Sequence, residues 1–275
     1  MIPNVLSIAG SDPSGGAGIQ ADLKAISARG AYAMAALTAL TAQNTQGVSG
    51  IHLVPADFVA DQITAVFADV RVDAVKIGMI ARAEIAEAVA RALSPHGDIP
   101  IVLDPVMVAK GGAALLDLEA VTALTDHLLP LATHLTPNLP EAATLLGCSD
   151  ATTREDMQDQ AEALRALGPR AVLLKGGHLA GDRSPDLLCS QAGMRWFDAA
   201  RVDTVNTHGT GCTLSAALAA ELAMGASDIE AVATAKSYVT GAVACAEQLT
   251  VGHGHGPTHH FHALWPTTPH FPERT

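Results

Sequence analysis

Asn206-Thr207-His208-Gly209-Thr210-Gly211-Cys212-Thr213, followed by the apolar run from Leu214 to Met224, reads as a glycine loop that opens onto a helix. Gly209 and Gly211 let the backbone bend where a side chain would clash, and the Ala/Leu-rich run behind them is long enough to be helical. Free N–H groups and the positive end of the helix dipole meet at such a junction. An anion, for instance a phosphoryl group in transfer, is its natural guest. Cys212 stands at that positive end, where a thiol is expected to be acidified. The same residues would also make a plain glycine turn before a core helix, so the choice depends on what the rest of the chain brings to the loop.

Outward from this loop, short apolar runs alternate with helical stretches. Val5 to Ala9, Ala74 to Gly78, Ile101 to Asp104, His134 to Thr136 and Ala171 to Leu174 read as strands, two of them stopped by Pro105 and Pro137. Gly15 to Ser27 reads as a turn leading into a helix. Glu84 to Leu93, Glu155 to Leu167 and Glu230 to Ala246 have helical spacing, the second ending at Gly168-Pro169. Repeated strand, helix, strand order implies a mainly parallel sheet covered on both faces, an α/β fold, with ligands bound beyond the carboxyl ends of the strands.

Composition agrees with that architecture and narrows the partners. Of 275 residues, 49% are hydrophobic but only 3% aromatic, so the core is built from finely divided Ala, Val, Leu and Ile. A single domain over residues 1–265 is expected, with 266–275, which carry three prolines, as a loosely held tail. The net charge of −12 with His neutral argues against nucleic acid and anionic membrane surfaces as partners. Cys148, Cys189, Cys212 and Cys245 form no CxxC pair, which points to a reducing cytoplasm rather than a disulfide framework. No basic segment precedes the apolar run at Val5, so no signal peptide is expected, and the run after Cys212 meets Glu221 before it could span a membrane.

The strand-end rule selects the chemistry. Asp12, Lys76, Asp104, Asn138, Glu141 and Lys175 all fall at or just after an apolar strand, on one rim. The loop Gly10 to Gly18 is glycine-rich too, but Gly16 and Ala17 stand where a P-loop needs Lys and Ser/Thr, and no full GxGxxG follows a strand.

These pieces occur in one order: Ala9-Gly10-Ser11-Asp12-Pro13-Ser14-Gly15-Gly16-Ala17-Gly18-Ile19-Gln20-Ala21-Asp22, Thr41-Ala42-Gln43-Asn44-Thr45, Lys76-Ile77-Gly78-Met79, Asp104-Pro105-Val106-Met107, Thr136-Pro137-Asn138-Leu139-Pro140-Glu141-Ala142, Leu174-Lys175-Gly176-Gly177-His178 and Gly209-Thr210-Gly211-Cys212. Together, from about residue 4 to 262, they closely resemble the hydroxymethylpyrimidine/phosphomethylpyrimidine kinases of thiamine biosynthesis, in the ribokinase-like superfamily. The resemblance implies a ribokinase-like three-layer α/β/α fold and a homodimer. It also implies ATP-dependent phosphorylation of 4-amino-5-hydroxymethyl-2-methylpyrimidine and then of its monophosphate.

The resemblance also assigns roles. The N–H groups of Gly209, Thr210, Gly211 and Cys212 hold the moving phosphoryl group, as electrostatic stabilisation of phosphoryl transfer requires. Most ribokinase-like relatives place an Asp base at the last position; here it is Cys212, for which orienting the acceptor hydroxyl and abstracting its proton are both open. Asn138 and Glu141 match the superfamily's NxxE motif, which positions Mg²⁺ through water, and Asp104 shares that task as a hard oxygen ligand. Glu141 would equally cap the helix after Pro140. Lys175 is placed at the nucleotide, and Lys236 either borders it or is a solvated helix lysine. For the pyrimidine, Gln43 offers an amide that both donates and accepts, Asp22 a carboxylate for the exocyclic amine or for holding a neighbouring loop, if it is not simply a first-turn helix acid, and Gly10, Met79 and Val106 apolar walls. Lys76 is read as a rim ion pair without a role. His253, His255, His259, His260 and His262 crowd one segment without a zinc template, so a loop-closing role is expected of them. A pyridoxal kinase, which would keep Cys212 as a thiol able to add to an aldehyde, and a non-catalytic regulator that kept the fold are the alternative readings.

Overall fold

The sheet is built on alternation. In the computed structural model, which describes residues 1–107 and 118–265, successive strand residues point to opposite sides of one nine-stranded sheet. Strands β1 (Asn4–Ser11), β2 (Tyr32–Asn44), β3 (Gly47–Leu53), β4 (Ala74–Ile77), β5 (Ile101–Leu103), β6 (His134–Leu135), β7 (Ala171–Lys175), β8 (Arg183–Ser190) and β9 (Gly193–Ala200) lie in the order β3-β2-β1-β4-β5-β6-β7-β8-β9. The six from β2 to β7 in that order are parallel. The edges are antiparallel, β3 on one side and β8 with β9 on the other.

Two helical layers cover it. Helices α1 (Gly18–Ala28), α7 (Thr210–Ala223) and α8 (Asp228–Ala244) close one face over Val5, Ala74, Val102 and Leu173. Helices α2 (Ala56–Asp69), α3 (Ala83–Leu93), α4 (Leu118–Ala123), α5 (Leu139–Leu146) and α6 (Arg154–Ala166) flank the other face, where Leu6, Val75, Ile101 and Val172 form the core with α2, α3, α5 and α6. This is the expected three-layer arrangement. The residues expected to be a loose tail, 266–275, lie outside the described residues.

Two local outcomes position the site. Helix α7 begins at Thr210, four residues ahead of the apolar run, so Gly211 and Cys212 belong to its first turn and Gly209 is its N-cap, at φ +77°. Chain order also reverses across the sheet at β1, which pairs with β2 on one side and β4 on the other. Such a switch point parts the loops above it and leaves a crevice.

Candidate active site

A cleft of about 770 Å³ opens beyond the carboxyl ends of β1, β4, β5, β6 and β7. At one end Met79 lies over Gly10, where even a Cβ would come within 2.2 Å of the methionine methyl group. Met79, Ala39, Ala81 and Val106 form a small apolar cluster apart from the two main cores. Gln43 reaches the same end from β2, its carbonyl oxygen 3.1 Å from the Thr41 hydroxyl. Gly10, Met79 and Val106 thus form an apolar part of the cleft, which Gln43 also lines.

The two glycine loops interlock in the same cleft. A Cβ on Gly209 would fall 1.8 Å from the Gly16 carbonyl oxygen, so only glycine allows the backbones to approach. The Asp12 carboxylate accepts from the Ser14 and Ala17 N–H groups and lies 2.8 Å from Nε2 of His208. The buried imidazole of His208 therefore ties the loop after β1 to the first turn of α7. Sequence reading placed Asp12 on the rim but did not see His208. Its position just before Gly209 was the available signal.

Lys175, Asp104 and Glu141 face that first turn. The ammonium of Lys175 lies 2.9 Å from Asp104 Oδ1 and 3.9 Å from Glu141 Oε2, and a Cβ on Gly211 would stand 3.4 Å from Lys175 Nζ and 3.7 Å from Asp104 Oδ2. Asp104 also accepts from the Thr136 and Ser215 hydroxyls. Asn138 and Glu141 form a reciprocal capping box on α5, the Asn138 side chain accepting from the Glu141 N–H and Glu141 Oε2 from the Asn138 N–H. The capping reading of Glu141 holds, and the same carboxylate lines the cleft. Burial pushes Glu141 up to about 7, against the pull of Lys175 and with the repulsion of Asp104. The Asp104 and Glu141 oxygens beside Lys175 are a hard-oxygen donor set that fits a hydrated cation such as Mg²⁺. Lys236 lines the cleft but is neither solvated nor free: its ammonium donates to Asp186 Oδ2 at 2.7 Å and to the Ser184 carbonyl at 2.9 Å.

Three expectations need correction. Asp22 does not face the cleft. It is fully buried in α1, bound by both carboxylate oxygens to Lys76 at 2.9 and 3.0 Å and accepting from the Ser7 hydroxyl. Lys76 is likewise no rim residue. Alternation turns it toward the face covered by α1 and α7, where it is fully buried and reaches the cleft floor. The signal was a lysine inside the apolar strand Ala74-Val75-Lys76-Ile77. Finally, Cys212 is not acidified. Burial outweighs the nearby Lys76 charge, Asp22 and Asp104 add repulsion, and the thiol is pushed up to about 11, although the Gly18 N–H is directed at its sulfur.

The histidine-rich segment closes loops. The Gly254 and His255 N–H groups donate to Thr45, the Gly256 N–H donates to the Asn206 side chain, and His260 Nε2 lies 3.1 Å from the Thr213 hydroxyl. Burial lowers His260 to about 3, so it is neutral at physiological pH. The strap thus joins the β2–β3 turn to the glycine loop. Among the described residues no three or more His, Cys, Asp or Glu side chains, those of the histidine-rich segment included, are grouped so as to hold a metal ion on their own, and no helix is long and apolar enough to cross a membrane.

Residues 12–259 match the family model described as phosphomethylpyrimidine kinase. The chain is 53% identical over 262 residues, 95% of its length and 98% of the relative's, to the hydroxymethylpyrimidine/phosphomethylpyrimidine kinase of Escherichia coli K12. Among solved structures it is similar to an ADP complex of Bacillus subtilis pyridoxal kinase, at a TM-score of 0.87 and 37% identity, covering 94% of this chain and 98% of that one. It is also similar to phosphomethylpyrimidine kinase from Clostridium difficile 630, at a TM-score of 0.77 and 42% identity, covering 86% and 98%.

Proposed function

The chain belongs to the phosphomethylpyrimidine kinase family, and on that premise we propose how its cleft phosphorylates 4-amino-5-hydroxymethyl-2-methylpyrimidine and then the monophosphate, with ATP as donor, in thiamine biosynthesis. It is a phosphotransferase of ribokinase-like fold. One observation carries the assignment of roles: Gly211, in the first turn of α7, faces both Lys175 and Asp104 in the cleft that Gln43 also lines. Helix N–H groups, an ammonium and paired carboxylates meet where a phosphoryl group would pass to an alcohol held in that cleft.

In this reading Gln43 pairs with the aminopyrimidine edge, and Gly10, Met79 and Val106 hold the ring faces. The N–H groups of Gly209 to Cys212 and the Lys175 ammonium stabilise the charge spread over the moving group, in a site that needs positioning more than covalent help. Glu141 and Asp104, with Asn138 beside them, would hold a Mg²⁺, and that ion would supply charge neutralisation on the nucleotide phosphates. Lys236 acts at the nucleotide end through Asp186. Cys212 keeps its proton at neutral pH and orients the hydroxymethyl group.

Residues 1–265 act as one unit, in the cytoplasm, without nucleic-acid or membrane partners. The chain pairs as a homodimer through the β3 edge, where Ile51 and Leu53 are exposed on one side of the strand. A monomer by sedimentation at micromolar concentration would refute this pairing.

ADP release is measured with the pyrimidine alcohol, its monophosphate and pyridoxal, each with and without Mg²⁺. Turnover on the two pyrimidines that requires Mg²⁺ is expected. The similarity to pyridoxal kinase keeps pyridoxal as the competing substrate: turnover on pyridoxal alone would reverse the assignment, and none on any would leave a non-catalytic regulator. Cys212→Ser is expected to keep measurable turnover, within about a hundredfold of the parent, since a positioned general base is worth roughly 10²–10⁴ and an orienting group less. Complete loss with unchanged substrate binding would make the sulfur the base.

A further inference from the structure

Arg201 stands just past the end of β9, on the rim of the cleft. Its guanidinium donates to four main-chain carbonyls of the segment that follows Lys175: Nη1 to Gly177 at 2.9 Å, Nη2 to Leu179 at 2.7 Å and Arg183 at 3.2 Å, and Nε to Gly181 at 2.9 Å. Its own N–H donates to the Asp182 carbonyl. Among the described residues no carboxylate lies within ion-pair distance of it, so an exposed cation spends four of its five side-chain donors on backbone. A rigid fork holding several carbonyls at once is a task lysine cannot reproduce.

The base of the same segment is fixed from the other side. The Gly176 N–H donates to Pro185 O and Asp186 Oδ1, and Asp186 is held by Lys236, which also donates to Ser184 O. A Cβ at Gly176 would come within 2.1 Å of the Pro185 oxygen. Ala199, Val202, Val239 and Val243 line the cleft together with Gly177 and Ser184.

We propose that Arg201 is a positioning residue for the phosphoryl donor: by tying residues 177–183 into one frame it shapes the nucleotide part of the cleft and leaves the pyrimidine part untouched. This rests on the nucleotide assignment made above. The loop has few apolar anchors of its own, and a segment of that kind samples open states unless its hydrogen bonds are supplied from elsewhere. Binding a nucleotide against it then costs the ordering that Arg201 has already provided.

The test uses the full chain with Arg201→Ala and Arg201→Lys. A fluorescent ADP analogue with Mg²⁺ and the pyrimidine alcohol are titrated separately, and amide hydrogen exchange is read over residues 177–183. Both variants are expected to lose about tenfold or more in nucleotide affinity, roughly 1.4 kcal/mol, with faster exchange in the segment and alcohol affinity within about twofold of the parent. Parental nucleotide affinity in Arg201→Ala overturns the proposal. So does full recovery in Arg201→Lys, which would mean that charge alone acts, and so does an equal loss for both ligands, which would mean general unfolding of the cleft. These are binding readouts, so an absence of turnover in the parent chain would refute the kinase reading while still deciding the role of Arg201. A parent that binds no nucleotide refutes both.

Discussion

Gly211→Asp is expected to lower kcat by about a thousandfold or more while the chain remains folded, at an unchanged melting temperature. A Cβ at this position points at Lys175 Nζ, 3.4 Å away, and at Asp104 Oδ2, 3.7 Å away. A carboxylate there would pair with Lys175, stand against Asp104 and occupy the space meant for the phosphoryl oxygens. Loss of one donor from an oxyanion-type site costs roughly 10²–10³ in rate. The aspartate does more, since it takes the ammonium as well and places like charge against the incoming group. Gly211→Ala is the control. Its methyl group meets only the far end of a flexible lysine and the edge of Asp104, and the backbone there is not left-handed, so the cost is about tenfold or less. Steady-state kinetics with a thermal melt separate the two variants. Near-parental turnover in Gly211→Asp would remove the anion site from the first turn of α7. Gly209 offers no such clean experiment, because a Cβ there would strike the Gly16 carbonyl and part the two loops.

The strand ends were readable because position in a parallel sheet is itself the signal. Asp104, Asn138 and Lys175 each follow a short apolar run stopped by a proline, a turn or a glycine, and the fold gathers them without further instruction. Other features were written in tertiary form. Strand β2, Tyr32-Ala33-Met34-Ala35-Ala36-Leu37-Thr38-Ala39-Leu40-Thr41-Ala42-Gln43-Asn44, is alanine-rich and lacks clear two-residue alternation, so its pairing with β1 decides its state. The Cys212 thiol was misjudged for a related reason. A helix N-terminus acidifies a thiol in water, but here the sulfur sits in a floor that also contains Asp22 and Asp104, and local composition says nothing about that company. Arg201 shows the same limit: one arginine after a strand carries no mark of the four carbonyls it will hold.

Lys76→Met is expected to destabilise the chain by about 3–5 kcal/mol, the cost of breaking a fully buried ion pair from one side. Both side chains of the Lys76–Asp22 pair are 0% exposed, and with Lys76 removed the Asp22 carboxylate keeps only the Ser7 hydroxyl among its hydrogen-bond partners described here. Burial already holds Asp22 above the usual carboxylate range, and Lys76 is the largest influence holding it down. Removing the lysine raises it further, so the folded variant binds a proton that the unfolded chain gives up. For an acid whose folded pKa lies above its unfolded one, stability is greatest below the unfolded value and is lost as pH rises through the folded value. Urea unfolding of Lys76→Met should therefore show a larger deficit at pH 8 than at pH 5.5, whereas the parent should show a smaller change between the two. Replacing both partners, as Asp22→Asn with Lys76→Met, leaves two neutral groups and should recover more than half of the loss. A pH-independent deficit under about 1 kcal/mol would mean that water reaches the pair, and the floor beneath Cys212 would then be wet. The thiol would be freed from the burial that keeps it protonated, and the orienting role given to Cys212 would lose its physical basis together with the buried pair.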